Sequence, residues 1–543
     1  MLAGGLEVIY WRVLLDVFAW FGFSYSIWTS PTLKNALVLA ITVGVIVATS
    51  GSTSRWTLTF PMAPIIVLQI LRRQGSKLRA SRILCYTSLL MVLMSIAASI
   101  LFPPLQLPQV QSGGPYDVGA VSFFLPIQQE ETDSCDMFNH THVPVRLLYP
   151  TIRSNDSSDK TTPYLSPSLA MEFLQESMKA AAPPPLKPYD WLMHHWLLTE
   201  LPIQKHAALV PQTTKFPLVV YSHGLMGNAD IYSYQAMSLA TQGMLVLMIN
   251  HLDGSAPVAE HHDGSKITFD YDTLQLWKDG KKKEYTRERQ RQTEWRAREL
   301  VGATKTILTL NNNDDNNSID QAALWRTDAP HSLIQSFEGR IDKDRIFFMG
   351  HSFGGATALT AAFRQPDLLE RGGGVIAHEP AVDWVPDGPR RSLLPEDRLQ
   401  GLAHNYTGGV AGWEFETTGG DDASLSLHSL NLLFLFSGQW RELNWGESHI
   451  LEEMFAKGRL GTPDQGVVDF GVIDQANHNE FSDMCMITPL WLARGSGVTG
   501  ARNPLETAHE IEKRTWKFIS SVISSSPATA TTTGTQTESA QES

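Results

Sequence analysis

Six short apolar runs recur between residues 218 and 473, each flanked by turn residues or by a helical stretch. They occupy 218–222, 244–249, 345–349, 374–378, 432–436 and 467–473. Near-continuous apolar strands need cover on both faces of a sheet, and the segments between them supply it. Residues 231–241 read as a helix. Residues 287–310 read as a longer one, charged at first and then apolar at Leu300, Ala303, Ile307 and Leu308. Strands alternating with helices predict an α/β fold built on a mostly parallel sheet. Functional groups in such folds gather at the carboxyl ends of the strands.

The third run leads directly into Gly350-His351-Ser352-Phe353-Gly354, and the small residues Gly355, Ala356, Thr357 and Ala358 follow. The pattern G-x-S-x-G is common by chance; its setting is not. Strand, sharp turn and helix expose a serine hydroxyl, and the helix start offers N–H groups to a developing oxyanion. Glycines clear space where strand and helix approach. Ser352 is therefore the expected nucleophile. His478 follows the last strand, and the chain order serine, acid, histidine fits an α/β-hydrolase. The acid is expected after the strand 374–378. Glu379 ends that strand and is preferred; Asp383, four residues on, is the alternative. The turn His223-Gly224-Leu225-Met226-Gly227 follows an earlier strand, so the backbone N–H groups of Leu225 and Phe353 are the expected oxyanion pair. Read as metal ligands, the pairs His194-His195 and His261-His262 fail, because adjacent residues do not readily converge on one ion; no metal or cofactor is expected.

Charge is unevenly spread. The net charge is -13, yet residues 1–104 hold eight Lys/Arg against two acids. The acidic remainder disfavours nucleic acid as a partner. Residues 83–102 contain no charge and are long enough to span a bilayer, as are residues 35–54; 17–33 and 56–71 are weaker candidates. The basic stretch 72–82 carries five positive charges, which predicts a cytoplasmic linker and a lumenal or extracellular body. The expected organisation is a multi-pass membrane region over 1–104, a catalytic domain over 105–523 and a disordered Ser/Thr/Ala tail over 524–543. Sequons at Asn139, Asn155, Asn316 and Asn405 permit that placement. Residues 278–284 read as a solvated turn. Three cysteines exclude a disulfide scaffold, though Cys135 and Cys485 are free to pair.

Several blocks, in order, are together far more specific than any one motif. They are Gly114-Pro115-Tyr116-Asp117-Val118-Gly119, Tyr221-Ser222-His223-Gly224-Leu225, the Arg/Glu/Gln-rich helix before Leu300, Arg340 to Ile346, Gly350 to Thr357, and His478 to Asp483. With these the chain resembles the plasma-type (group VII) platelet-activating factor acetylhydrolases over about residues 115–481. The resemblance implies a calcium-independent serine esterase that removes short or oxidised sn-2 acyl chains from phospholipids. It puts the nucleophile on Ser352, the base on His478 and the oxyanion donors on Leu225 and Phe353. It implies phospholipid and membrane lipid as partners, with no obligate protein partner. The family acid is typically an aspartate, whereas the nearest acid here is Glu379. Better-known members are secreted or cytosolic, whereas this chain carries apparent spans. An esterase for other small or polymeric esters, and a non-catalytic hydrolase-like ectodomain, are the alternative readings.

Overall fold

The computed structural model describes residues 106–111, 113–127, 140–152, 161–181, 190–211, 215–311, 327, 329–369, 371–393, 430–458 and 466–525. The segments read as membrane spans, the basic stretch 72–82, Cys135, the asparagines of all four sequons and residues 526–543 lie outside these. The membrane placement is corrected: among the described residues no helix is long and apolar enough to cross a membrane. The two longest helices show why. Lys282–Asn311 and Pro504–Ser525 are studded with charges, and their apolar stripes pack against the sheet.

Eight strands carry the fold: β1 (Asp117–Pro126), β2 (His142–Thr151), β3 (Phe216–Ser222), β4 (Leu245–Ile249), β5 (Ile341–His351), β6 (Gly374–His378), β7 (Asn431–Ser437) and β8 (Val468–Ile473). Their order across the sheet is β8-β7-β6-β5-β3-β4-β2-β1, with the short strand Gln204–Lys205 at the β1 edge. Strands β3 to β8 run parallel, and β2 is antiparallel to both β4 and β1. This is an α/β-hydrolase-like fold with a mostly parallel sheet.

Side chains alternate between the two faces, as the strand repeat dictates. From β3, Leu218 and Val220 enter one core; Val219 and Tyr221 enter the other. Four helices matter here: α1 (Ser233–Thr241), α2 (Lys282–Asn311), α3 (Phe353–Arg364) and α4 (Pro504–Ser525). The first core is closed by Leu300, Ala303 and Ile307 of α2 and by Ala356, Leu359 and Ala362 of α3. The second is closed by Tyr234 and Met237 of α1 and by Phe518, Ile519 and Val522 of α4.

Register decides where the site forms. Gly350 pairs with Ser222, and His351 with His378. The carboxyl ends of β3, β5 and β6 are thus level, and Gly224, Ser352 and Glu379 start or sit in neighbouring loops.

Candidate functional site: a serine, a histidine and a shared glutamate

Ser352 sits between β5 and α3 with φ +58° and ψ −114°, a conformation non-glycine residues rarely adopt. Glycines make that turn possible. A Cβ on Gly354 would lie 2.0 Å from the Ser222 carbonyl oxygen, and one on Gly350 2.2 Å from that of Gly354. The turn is pinned from both sides: the Ser352 amide donates to the His378 carbonyl at 2.8 Å, and its own carbonyl accepts from the Ala381 amide at 3.1 Å. Backbone strain at a bonded turn is a feature of functional sites rather than of ordinary connections.

Glu379 stands at the end of β6, also with positive φ (+46°), and is wholly buried. Its Oε1 accepts the Ser437 amide at 2.6 Å. Its Oε2 accepts Nδ1 of His478 at 2.5 Å and lies 3.3 Å from Nε2 of His351. Burial alone would raise its pKa. The charge of His478 and the hydrogen bonds from His351 and His478 outweigh burial and hold it down at about 2. Glu379 is therefore an anion throughout the physiological range.

His478 opens a short 3-10 turn, His478–Phe481, after β8. A capping box fixes that turn, with Asn477 N donating to Glu480 Oε2 at 2.6 Å. Gln439 Oε1 accepts the His478 amide at 2.9 Å, and the Trp440 ring stacks on the imidazole at 4.4 Å. The side chain remains 21% exposed, so its outer nitrogen is reachable.

Asp383 goes elsewhere. It lies on the turn Val382–Trp384, its side chain is 54% exposed, and it stands beside Glu447 with Arg390 at 3.6 Å. Of the two acids considered from sequence, Glu379 is the one against the imidazole.

The Leu225 loop is held on either side of that residue. The Gly224 amide donates to the Tyr232 hydroxyl at 3.1 Å and the Met226 amide to the Ser255 carbonyl at 2.8 Å. Phe353 is the first residue of α3, where a helix leaves its N–H groups without intrahelical partners.

Sequence reasoning missed the bracing beneath this loop. Ser222 Oγ is 2.8 Å from His251 Nε2, and His251 Nδ1 is 2.5 Å from Glu299. The connectivity copies a hydrolase triad, but all three side chains are sealed from solvent, so it holds the loop and does no chemistry. Arg296 of α2, equally buried, donates to the His223 carbonyl and lies 4.4 Å from the centre of the Phe353 ring. One guanidinium thereby touches both segments that carry the expected oxyanion amides. The only signal was the Arg/Glu/Gln-rich character of that helix, which reads equally well as a solvated face.

Neither histidine pair belongs to a tight group of ion ligands among the described residues. His195 Nε2 is occupied by the Ile487 carbonyl at 3.0 Å. Among the described residues one group, His351, Glu379 and His478, is tight enough to share an ion. Its Glu379–His478 separation of 2.5 Å is a hydrogen bond, with no room for an ion whose bonds to each ligand are about 2 Å. Cys485 is buried.

Comparison with known proteins follows the same lines. The family "Platelet-activating factor acetylhydrolase, isoform II" matches residues 100–369, a range that includes Leu225 and Ser352 and stops short of Glu379 and His478. The platelet-activating factor acetylhydrolase of Canis lupus familiaris is 35% identical over 151 residues, covering 27% of this chain and 32% of its own length. That of Gallus gallus is 28% identical over 176 residues, covering 30% and 39%. A putative phospholipase A2 of Schizosaccharomyces pombe (strain 972 / ATCC 24843) is 25% identical over 270 residues, covering 45% and 56%. The chain thus spans about a third of the length of the mammalian relatives it matches. Among solved structures, the ferulic acid esterase from Streptomyces cinnamoneus aligns with 77% of this chain and 93% of its own at 15% identity and a TM-score of 0.43. Over residues 100–369, just under half of its length, the chain matches the platelet-activating factor acetylhydrolase family.

Proposed function

We propose that the protein is a serine carboxylic ester hydrolase of the phospholipase A2 type, cleaving short or oxidised acyl chains from the sn-2 position of phospholipids. The observation that carries the proposal is Ser352 strained on its strand-to-helix turn while His478 and the ionised Glu379 are bonded at the ends of nearby strands. The match to a family named for acetylhydrolase activity supports the ester and its short acyl group. Trp445, 43% exposed and 6.2 Å from the His478 ring, adds apolar surface beside the base, as a lipid ester would use.

Ser352 Oγ attacks the sn-2 carbonyl carbon and passes its proton to Nε2 of His478. Glu379 holds the proton on Nδ1, fixes the tautomer and stabilises the imidazolium. The N–H groups of Leu225 and Phe353 take the oxyanion. Collapse of the tetrahedral intermediate breaks the ester C–O bond, and His478 returns the proton to the departing lysophospholipid alkoxide. Water then adds to the acyl-enzyme by the same route, releasing the acid and restoring Ser352.

The test is turnover of phosphatidylcholines that differ only in the sn-2 chain, from acetyl to palmitoyl, with and without EDTA. We expect acetyl and short oxidised chains to give the highest kcat/KM, with no loss on chelation. A preference for palmitoyl, or an activity abolished by EDTA, overturns the proposal.

A further inference from the structure

Hydrolysis as proposed uses Ser352, Glu379, His478 and two backbone amides, which leaves the buried histidine next to the nucleophile without a task. His351 precedes the nucleophile, its side chain is 4% exposed, and it lies flat against Phe481 at 5.4 Å. Its Nε2 is 3.3 Å from Glu379 Oε2 and its Nδ1 is 3.0 Å from the Tyr232 hydroxyl. That hydroxyl accepts the Gly224 amide at 3.1 Å.

Chemistry fixes the direction of every bond in this chain. An ionised Glu379 only accepts, so His351 donates to it from Nε2. Burial and the repulsion of His478 lower the His351 pKa to about 4, so the ring is neutral and Nδ1 carries a lone pair. Tyr232, whose pKa burial raises, keeps its proton and donates it to Nδ1. The phenol oxygen is then free to accept from Gly224. No donor meets a donor. The loop that precedes Leu225 is tied through Tyr232 and His351 to the carboxylate that orients His478. Only glycine allows this approach: a Cβ on residue 224 would lie 2.8 Å from the Tyr232 oxygen.

We propose that His351 and Tyr232 are positioning residues that hold the oxyanion loop and the Glu379–His478 pair in one fixed relation, so that they act on the transition state and not on substrate binding. This rests on the esterase reading above. Removing one oxyanion donor outright costs about 10² to 10³ in kcat; a residue one bond behind it costs less.

The experiment compares Tyr232→Phe, His351→Leu, His351→Gln and the double variant Tyr232→Phe/His351→Leu, with Ser352→Ala as reference. Rates of the variants that keep Ser352 are taken per active serine, counted with a fluorophosphonate, and that of Ser352→Ala per mole of protein shown to be folded by circular dichroism. Tyr232→Phe is expected to lower kcat by roughly ten- to a hundredfold with KM within about threefold. His351→Leu should lose more, and His351→Gln, whose amide can still donate to Glu379, should recover part of it. The double variant should be no worse than His351→Leu, because both act through one chain. An unchanged kcat in Tyr232→Phe, a loss confined to KM, or losses that multiply in the double variant overturns the inference. If Ser352→Ala is inactive in that same experiment, the esterase reading survives; if Ser352→Ala is fully active, both fall.

Discussion

At the scale of single residues the site is defined by one carboxylate. Glu379 receives bonds from Ser437, His351 and His478, while Asp383 pairs with Arg390 near solvent. Both follow the same strand in the sequence, and position alone favours Glu379 only because it ends that strand. Their surroundings separate them: one side chain is wholly buried, the other mostly open to water. Comparing Glu379→Gln with Asp383→Asn at saturating substrate makes the difference measurable. The amide at 379 favours the wrong imidazole tautomer and should cost about 10⁴ in kcat. Asp383→Asn should stay within about tenfold of the wild type. A large loss at Asp383 alone would reverse the assignment.

At the scale of elements, legibility followed burial. Strands β3 to β8 appear where apolar runs stand in the sequence, because a strand covered on both faces cannot afford polar positions. Strands β1 and β2 were not anticipated. Pro144, Pro150 and a buried arginine interrupt β2, and Arg146 is tolerated there only because Asp230 meets it at 2.8 Å. That partner lies 84 positions away, beyond any local pattern. Ser352 and His478 stand out in the sequence through motif and order. His351 does not, since the pattern leaves its position open. The N-terminal segments read as spans because long uncharged runs admit that meaning in isolation. Helix α2 reads in sequence as charged at first and then apolar, and nothing in that pattern shows that Arg289 and Arg296 are fully buried.

At the scale of the whole molecule, buried histidines set the response to acid. Burial lowers the pKa of His351 to about 4 and of His378 to about 3, assisted by His478 and His351 respectively. His223 and His251 are also lowered, by burial and by Arg296. In the unfolded chain each titrates near 6.5. Between about pH 6.5 and 4 the unfolded state takes up protons that the folded state refuses, so stability falls as pH falls. The depressed Glu379 adds to this below about pH 4.5, where its contribution is lost down to about pH 2. Buried Glu299 and Asp483, whose pKa values are raised by burial, act in the opposite sense. Each histidine contributes about 1.4 kcal/mol per pH unit. Calorimetry at pH 7, 6 and 5 should show a steep fall in Tm, made shallower in His378→Gln, whose amide can keep the contact to Thr515. A flat Tm over that range would contradict it.

The central claim concerns Ser352, and turnover of 1-alkyl-2-acetylglycerophosphocholine by wild type and Ser352→Ala tests it most directly. Circular dichroism and Tm establish that both proteins are folded. Loss of the nucleophile is expected to lower kcat by about 10⁶. Near-normal hydrolysis by a folded Ser352→Ala protein would contradict the account.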